Sequence, residues 1–194
     1  MKALVTGATG LLGSHIVDRL LDRGDDVTAL ARPTSDVSYL REREVPIAYG
    51  DVTDADSLRS AVEGADVVYH AAAKVTDWGP WSDFEATTIR GTENVLEAAS
   101  AAAIPRVLYV STDSVYPNSA KFRGATITED TPFEEAPPSW DPYQRAKLAA
   151  ERIVWQFQRD GRLKVSIVRP GLILGERDRS IMPGFVSYLR GNAV

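Results

Sequence analysis

Lys2-Ala3-Leu4-Val5-Thr6-Gly7-Ala8-Thr9-Gly10-Leu11-Leu12-Gly13 is the stretch whose reading decides the fold. An apolar run of strand length meets a turn carrying three glycines. An amphipathic segment follows, with Leu11, Leu12, Ile16, Val17, Leu20 and Leu21 at helical spacing. Glycines placed this way let the chain turn sharply after the strand, approach a pyrophosphate with no Cβ in between, and seat the helix closely on the sheet. The helix start then offers unpaired N–H groups and the positive end of its dipole to phosphate. A plain structural turn accounts for two glycines, but the position between strand and helix is the context a dinucleotide site requires.

Outward from this turn, strands and helices alternate. Gly24 closes the first helix, and Val27–Ala31 reads as the second strand, stopped by Arg32-Pro33. A polar segment leads to a third strand at Val45–Tyr49. Thr53 or Asp54 can cap the next helix, which Gly64 ends. Asp66–Ala71 is the fourth strand, a long helix runs through Thr92 to Ala99, and Val107–Ser111 is the fifth strand. A proline-rich loop spans 117–138, a helix runs from Pro142 to Arg159, and Lys164–Val168 is the sixth strand. Most strands are continuously apolar, which predicts an α/β fold: a doubly wound parallel sheet covered on both faces. Right-handed crossovers and the glycine turn on the first strand predict the order 3-2-1-4-5-6, with the ligand across the carboxyl ends.

The chain has 194 residues, 44% hydrophobic and 25% charged, with a net charge of −5. That balance suits an ordinary globular protein and argues against a nucleic-acid binder, whose affinity comes from basic residues. Without cysteine there is no disulfide or thiolate site, and His15 and His70 alone make no zinc centre, so no metal is expected. No apolar stretch approaches the ~20 residues of a membrane span and no signal peptide is evident, so the expectation is a cytoplasmic protein.

Three places can carry chemistry. The second strand ends at Ala31-Arg32, where an acidic residue would bind the ribose hydroxyl of NAD; an arginine suits the 2′-phosphate of NADP instead. Asp51-Val52, ending the third strand, sits where adenine could be bound, or Asp51 simply caps a helix. Ser111 and Thr112 follow the fifth strand, at the edge of the cleft. Tyr143 and Lys147 lie one turn apart on one helix face, so a nearby ammonium is expected to lower the tyrosine's pKa and make it a general acid/base.

Together these features resemble the extended branch of the short-chain dehydrogenase/reductase superfamily, over nearly the whole chain. Thr6–Gly13 is similar to TGxxGxxG, His70-Ala71-Ala72-Ala73 to HxAA, and Tyr143–Lys147 to YxxxK. The resemblance implies a Rossmann fold with NADP, or else NAD, as cofactor. It implies Tyr143 as proton donor and acceptor, Thr112 as the hydroxyl that orients the substrate oxygen with Ser111 as competitor, and Lys147 on the nicotinamide ribose. Gly7, Thr9, Gly10, Leu11, Leu12, Gly13, Arg32, Asp51, Val52, Ala71, Ala72, Ala73, Ser111, Tyr143, Lys147 and Pro170 would line the cofactor. Arg169-Pro170-Gly171 is similar to the family's RPG segment, and Asn94 belongs to a GTxN pattern in which helix packing is expected.

Within the branch, Ser114 stands where dehydratases place a glutamate, and Thr88 where epimerases often carry asparagine. Arg32 and the loop 75–81 look more like dihydroflavonol-reductase and 3β-hydroxysteroid-dehydrogenase members, with Trp78, Trp81 and Phe84 as walls of an apolar pocket for a small-molecule substrate. An NAD-dependent sugar-nucleotide epimerase and a non-catalytic cofactor sensor are the alternatives. The resemblance also implies pairing through two helices as a homodimer, and a further hundred or so residues. The expected division is a cofactor domain at 1–175 and the start of a truncated substrate-binding region at 176–194, where Phe185, Val186, Tyr188 and Leu189 form an apolar helix face.

Overall fold

In the computed structural model, residues 1–76, 78–117, 124, 126–179 and 182–191 are described, without the side chains of Phe185, Tyr188 and Leu189. Strands β1 (Lys2–Thr6), β2 (Asp26–Ala31), β3 (Ile47–Tyr49), β4 (Val67–His70), β5 (Val107–Val110) and β6 (Val165–Val168) form one parallel sheet in the order β3-β2-β1-β4-β5-β6. This is the predicted doubly wound arrangement. Because successive strand residues face opposite ways, each strand feeds two cores. Ala3 and Val5 of β1 join Val17 and Leu20 of α1 (Leu11–Asp22) and Leu40 of α2 (Ser38–Glu42) on one face. Leu4 joins the other face, with Leu58 of α3 (Ala55–Val62), Val95 and Leu96 of α5 (Gly91–Ala101), and Val154 and Phe157 of α6 (Pro142–Arg159).

Several elements differ from the sequence reading. The short α2 was not expected, and it shortens the third strand. The Val45 N–H closes α2 by bonding the Leu40 carbonyl at 2.9 Å, so pairing with β2 begins only at Pro46, whose carbonyl takes the Ala29 N–H. The helix after β4 starts early, as α4 (Trp81–Phe84), passes through a π-helical turn (Glu85–Arg90) and continues as α5. Phe84 is fully buried within it, so it is core and not a pocket wall. The proline-rich loop falls partly outside the described residues, as do Asp77 of the tryptophan loop and Ile181; the last helix is α7 (Met182–Leu189). Just before α7, Arg177 is tied to α1: it donates to Ser14 Oγ at 2.9 Å, His15 Nδ1 at 2.8 Å and Asp18 at 2.7 Å, and stacks on Tyr39.

The β1–α1 turn rests on three backbones in close approach. Gly7 adopts a φ of 69°, and a Cβ there would lie 2.7 Å from Ala72 N. A Cβ on Gly13 would lie 2.1 Å from the Gly7 carbonyl oxygen. Beneath the turn a buried chain of hydroxyls staples β1 to β4 and α5. Thr92 Oγ1 donates its one proton to the Thr88 carbonyl at 2.6 Å, so His70 Nε2 must be the donor in its 3.0 Å contact with Thr92. His70 Nδ1 is then an acceptor, and Thr6 Oγ1 donates to it at 2.7 Å while accepting from the Ala72 N–H. Every site is filled with the imidazole neutral. Burial, helped by the charge of Lys147, draws His70 down to about 3.

Two outcomes follow from these contacts. Gly13→Ala should lose about 2–3 kcal/mol, lowering the melting temperature by roughly 5–10 °C, because rigid backbone and no flexible side chain opposes the new methyl. His70 binds its proton more weakly in the folded state than the ordinary 6.5 of the unfolded chain. Its contribution to stability is therefore complete above that value and falls by about 1.4 kcal/mol per pH unit as pH drops from ~6 to ~4. Urea titrations of wild type and His70→Gln should differ in pH slope by that one proton; parallel curves would show that folding does not disfavour imidazolium.

Candidate functional site

The cleft lies at the carboxyl ends of β1, β4 and β5, where the strand order reverses. On its β1 side, Gly10 caps α1 through backbone geometry alone, with no side-chain hydrogen bond. The first-turn N–H groups of Leu11, Leu12 and Gly13 therefore point out of the helix without a side-chain acceptor. Ala71 and Ala72 press on Gly7 from β4, leaving backbone where a bulky side chain would otherwise close the floor. A glycine cradle that any Cβ would fill, facing an uncapped helix start, fits a pyrophosphate.

The adenosine end is set by β2 and β3. Arg32 is exposed beyond β2, and its guanidinium has no partner among the described residues. Asp51 Oδ1 accepts from the Thr53 N–H and hydroxyl, each at 2.9 Å, while Asp54 is the cap of α3. Val52 is buried, and Asn94 Nδ2 donates to its carbonyl at 2.9 Å. Asn94 thus ties α5 to the β3–α3 loop, the packing role expected of it.

On the other side of the cleft, Asp141 caps α6 by accepting the Gln144 N–H at 2.8 Å, and Pro142 fits the first helical position, where an N–H is not needed. The 18-residue helix so started carries Tyr143, Lys147 and Glu151 on one face. Thr112 is among the groups that act on the Tyr143 phenol, so two of the three expected catalytic residues are neighbours. Thr112 Oγ1 also accepts the Ser114 N–H at 3.2 Å, while Gln144 Nε2 holds the Ser114 carbonyl at 2.7 Å. Pro170 approaches from β6, its carbonyl accepting the Asp113 N–H at 3.0 Å.

Lys147 turns toward the sheet. Its Nζ is buried and donates to Tyr109 Oη at 2.9 Å and to the Val110 carbonyl at 2.6 Å, both in β5. The phenol of Tyr143 is consequently raised above its ordinary value, chiefly by burial, with Asp113 and Asp141 adding to it and Thr112 opposing. Sequence spacing predicted a lowered tyrosine; the structure reverses the sign because the amine bonds the sheet and the phenol is desolvated. The lysine itself is drawn down to about 7 by burial, against the favourable charge of Glu151.

Ser111 also departs from the expected place. Its hydroxyl donates to Glu151 Oε2, under the helix, leaving Thr112 as the hydroxyl beside Tyr143. Glu151 is fully buried and takes two bonds from Arg169, at 2.9 and 2.5 Å, and one from Trp155 Nε1 at 3.1 Å. Arg169 Nη1 donates on to Tyr116 Oη at 2.6 Å. Sequence reasoning missed Glu151 and Tyr109. Glu151 could have been found from its spacing, one turn beyond Lys147, whereas Tyr109 sits in an apolar run that marks it only as core.

Around the cleft, Trp78 is 79% and Trp81 37% exposed, and Arg145 lies over the Trp81 ring at 4.3 Å. Among the described residues no cluster of His, Asp or Glu could hold a metal ion, and no helix is long and apolar enough to cross a membrane.

Comparison with known proteins agrees with this geometry. The chain is 34% identical over 193 residues to 2-alkyl-3-oxoalkanoate reductase of Stenotrophomonas maltophilia (strain K279a), covering 98% of this chain and 56% of that protein. It is 35% identical over 201 residues to 3 beta-hydroxysteroid dehydrogenase/Delta 5-->4-isomerase of Mycobacterium tuberculosis (strain CDC 1551 / Oshkosh), covering 98% and 52%. It superposes on DesIV, the dTDP-glucose 4,6-dehydratase of Streptomyces venezuelae with NAD and TYD bound, with a TM-score of 0.84 and 28% identity, over 98% of this chain and 63% of that one. The chain spans about half the length of the curated relatives it matches. The model of the NAD dependent epimerase/dehydratase family matches residues 3–193. With the glycine cradle, the Tyr143 helix and the strand order all in place, the chain belongs to that family of NAD(P)-dependent enzymes.

Proposed function

We propose that this chain is the cofactor-binding and catalytic part of an NADP-dependent oxidoreductase that acts on a carbonyl or secondary alcohol of a small apolar substrate. The observation that carries this reading is the placement of Tyr143 on α6, one turn from Lys147 and beside the segment after β5 that holds Thr112. The uncapped start of α1 with Gly7, Thr9, Gly10 and Gly13 would hold the pyrophosphate, and Arg32 the 2′-phosphate. Asp51 and Val52 would border the adenine, and Ala71, Ala72, Ala73 and Pro170 the nicotinamide half. When bound, the nicotinamide supplies or accepts the hydride.

The chain's own residues handle the proton. In reduction Thr112 holds the substrate oxygen, and the Tyr143 O–H donates to it as negative charge develops. Burial keeps that phenol protonated at neutral pH, which suits an acid. Lys147, one turn away, would hold the nicotinamide ribose and offset the phenolate left behind. Exposed Trp78 and Trp81 favour an apolar substrate. The named relatives act on oxoalkanoates and hydroxysteroids, which points the same way.

Substrate-dependent NADPH oxidation across a panel of apolar ketones tests the reading. Tyr143→Phe should lower kcat at least ~10²-fold while NADPH affinity stays within about twofold. Equal loss of binding would make Tyr143 a structural residue. Retained NAD with no net oxidation of added NADPH would point to an epimerase, and binding without any turnover to a sensor. Arg32→Ala should weaken NADPH by roughly tenfold in fluorescence titrations and leave NADH nearly unchanged; parallel losses would remove the 2′-phosphate assignment.

A further inference from the structure

The amine of Lys147 meets the sheet through an unusual partner. Tyr109 is completely buried, its hydroxyl accepts from Nζ at 2.9 Å, and Nζ sits 4.4 Å from the centre of its ring. The ring of Tyr109 also packs against that of His70, their centres 5.7 Å apart. Thr92 fixes His70 in turn: it has given its proton to the Thr88 carbonyl, so its oxygen accepts from His70 Nε2. Because an N–H of the lysine can only donate, the Tyr109 oxygen presents a lone pair to it.

Donor counting then decides what this contact does. An ammonium has three N–H groups and a neutral amine two. Tyr109 Oη and the Val110 carbonyl take two. Only the charged form has a donor left for the cleft. Around the amine stand Tyr109 and Val110 from β5, neutral His70 from β4, and Tyr143 and Glu151 one turn to either side on α6. Glu151 is the one charge among them that favours the ammonium, and burial opposes it.

We propose that Tyr109 is a positioning residue for Lys147: its hydroxyl, on a buried ring packed against His70, anchors the amine and favours its charged form, so that a third N–H is presented to the cleft. The use made of that N–H rests on the proposed oxidoreductase reading, but the anchoring does not. His70, against which the Tyr109 ring packs, bonds Thr6, the residue before Gly7, so the lysine's anchor and the glycine turn share one buried neighbour.

The test is an NMR titration of the lysine side chains in protein labelled with isotopic lysine, the Lys147 signal being identified by its absence in Lys147→Arg. In wild type this signal should titrate near 7, far from the other lysines. In Tyr109→Phe, which removes only the hydroxyl, the midpoint should fall by about one pH unit, since a charge-assisted hydrogen bond to the ammonium is lost. NADPH affinity should drop several-fold at pH 8 and recover at pH 6. A residue with a merely structural role would lower the melting temperature and leave the midpoint in place, and that result overturns the proposal. If Tyr109→Phe does not fold, Tyr109→Met, which also lacks the oxygen but fills the space flexibly, should lower the midpoint in the same way; no movement again overturns it. A shifted midpoint in a protein that turns over no ketone supports the anchor and removes the oxidoreductase reading.

Discussion

Contact between the β1–α1 turn and the end of β4 is the constraint on which the rest depends. Gly7 lies against Ala71 and Ala72, and Gly13 lies against Gly7, at distances only hydrogen atoms can occupy. That approach aims the start of α1 along the cleft, keeps its N–H groups uncapped, and lets β1 pair on both sides, with β2 and β4. It also brings Thr6 level with His70, the register pair from which the buried hydroxyl chain begins. Cradle and polar chain share one cause, the absence of side chains at the crossing point.

Elements with a local signal were legible in the sequence. Strands buried on both faces read as continuous apolar runs, and α6 was read from Pro142 to Arg159, the bounds it has. The glycine turn was enough to set the strand order. What was not legible depends on contacts between distant segments. Helix α2 is a single short turn with one buried residue, too brief for periodicity to register. Tyr143 and Lys147 were rightly placed on one face, but spacing along a helix is blind to the oxygens of β5 that draw the amine inward. Hence the pKa shift of the phenol was expected with the wrong sign.

The second buried network has a different purpose. Glu151 and Arg169 form an ion pair inside the protein, and taking two charges out of water costs several kcal/mol, which the attraction between them need not recover. What the pair gains is satisfied geometry. The carboxylate collects Ser111, Trp155 and both guanidinium contacts, and the guanidinium reaches Tyr116. Ser111 and Tyr116 bracket the short segment that carries Thr112, so the pair holds that segment at both ends. With one hydroxyl of the Ser111-Thr112 pair bound beneath the helix, alternation along extended backbone leaves the other to face the cleft.

The burial of Lys147, by contrast, works against stability. In the folded chain the amine titrates near 7, while an ordinary lysine does so at 10.5. Between those values the unfolded chain binds the proton more strongly, so stability present above 10.5 is progressively lost as pH falls towards 7. A residue selected only for packing would not be a lysine. Replacement by leucine or methionine would fill the same space without a charge to desolvate. The amine is nevertheless supplied with a buried phenol and a backbone carbonyl as acceptors, and with a carboxylate one turn away whose charge favours the form that burial disfavours. Such opposition holds the group close to its titration point at neutral pH, where a modest change in the cleft can move its proton; that is the behaviour of a working site and not of a core.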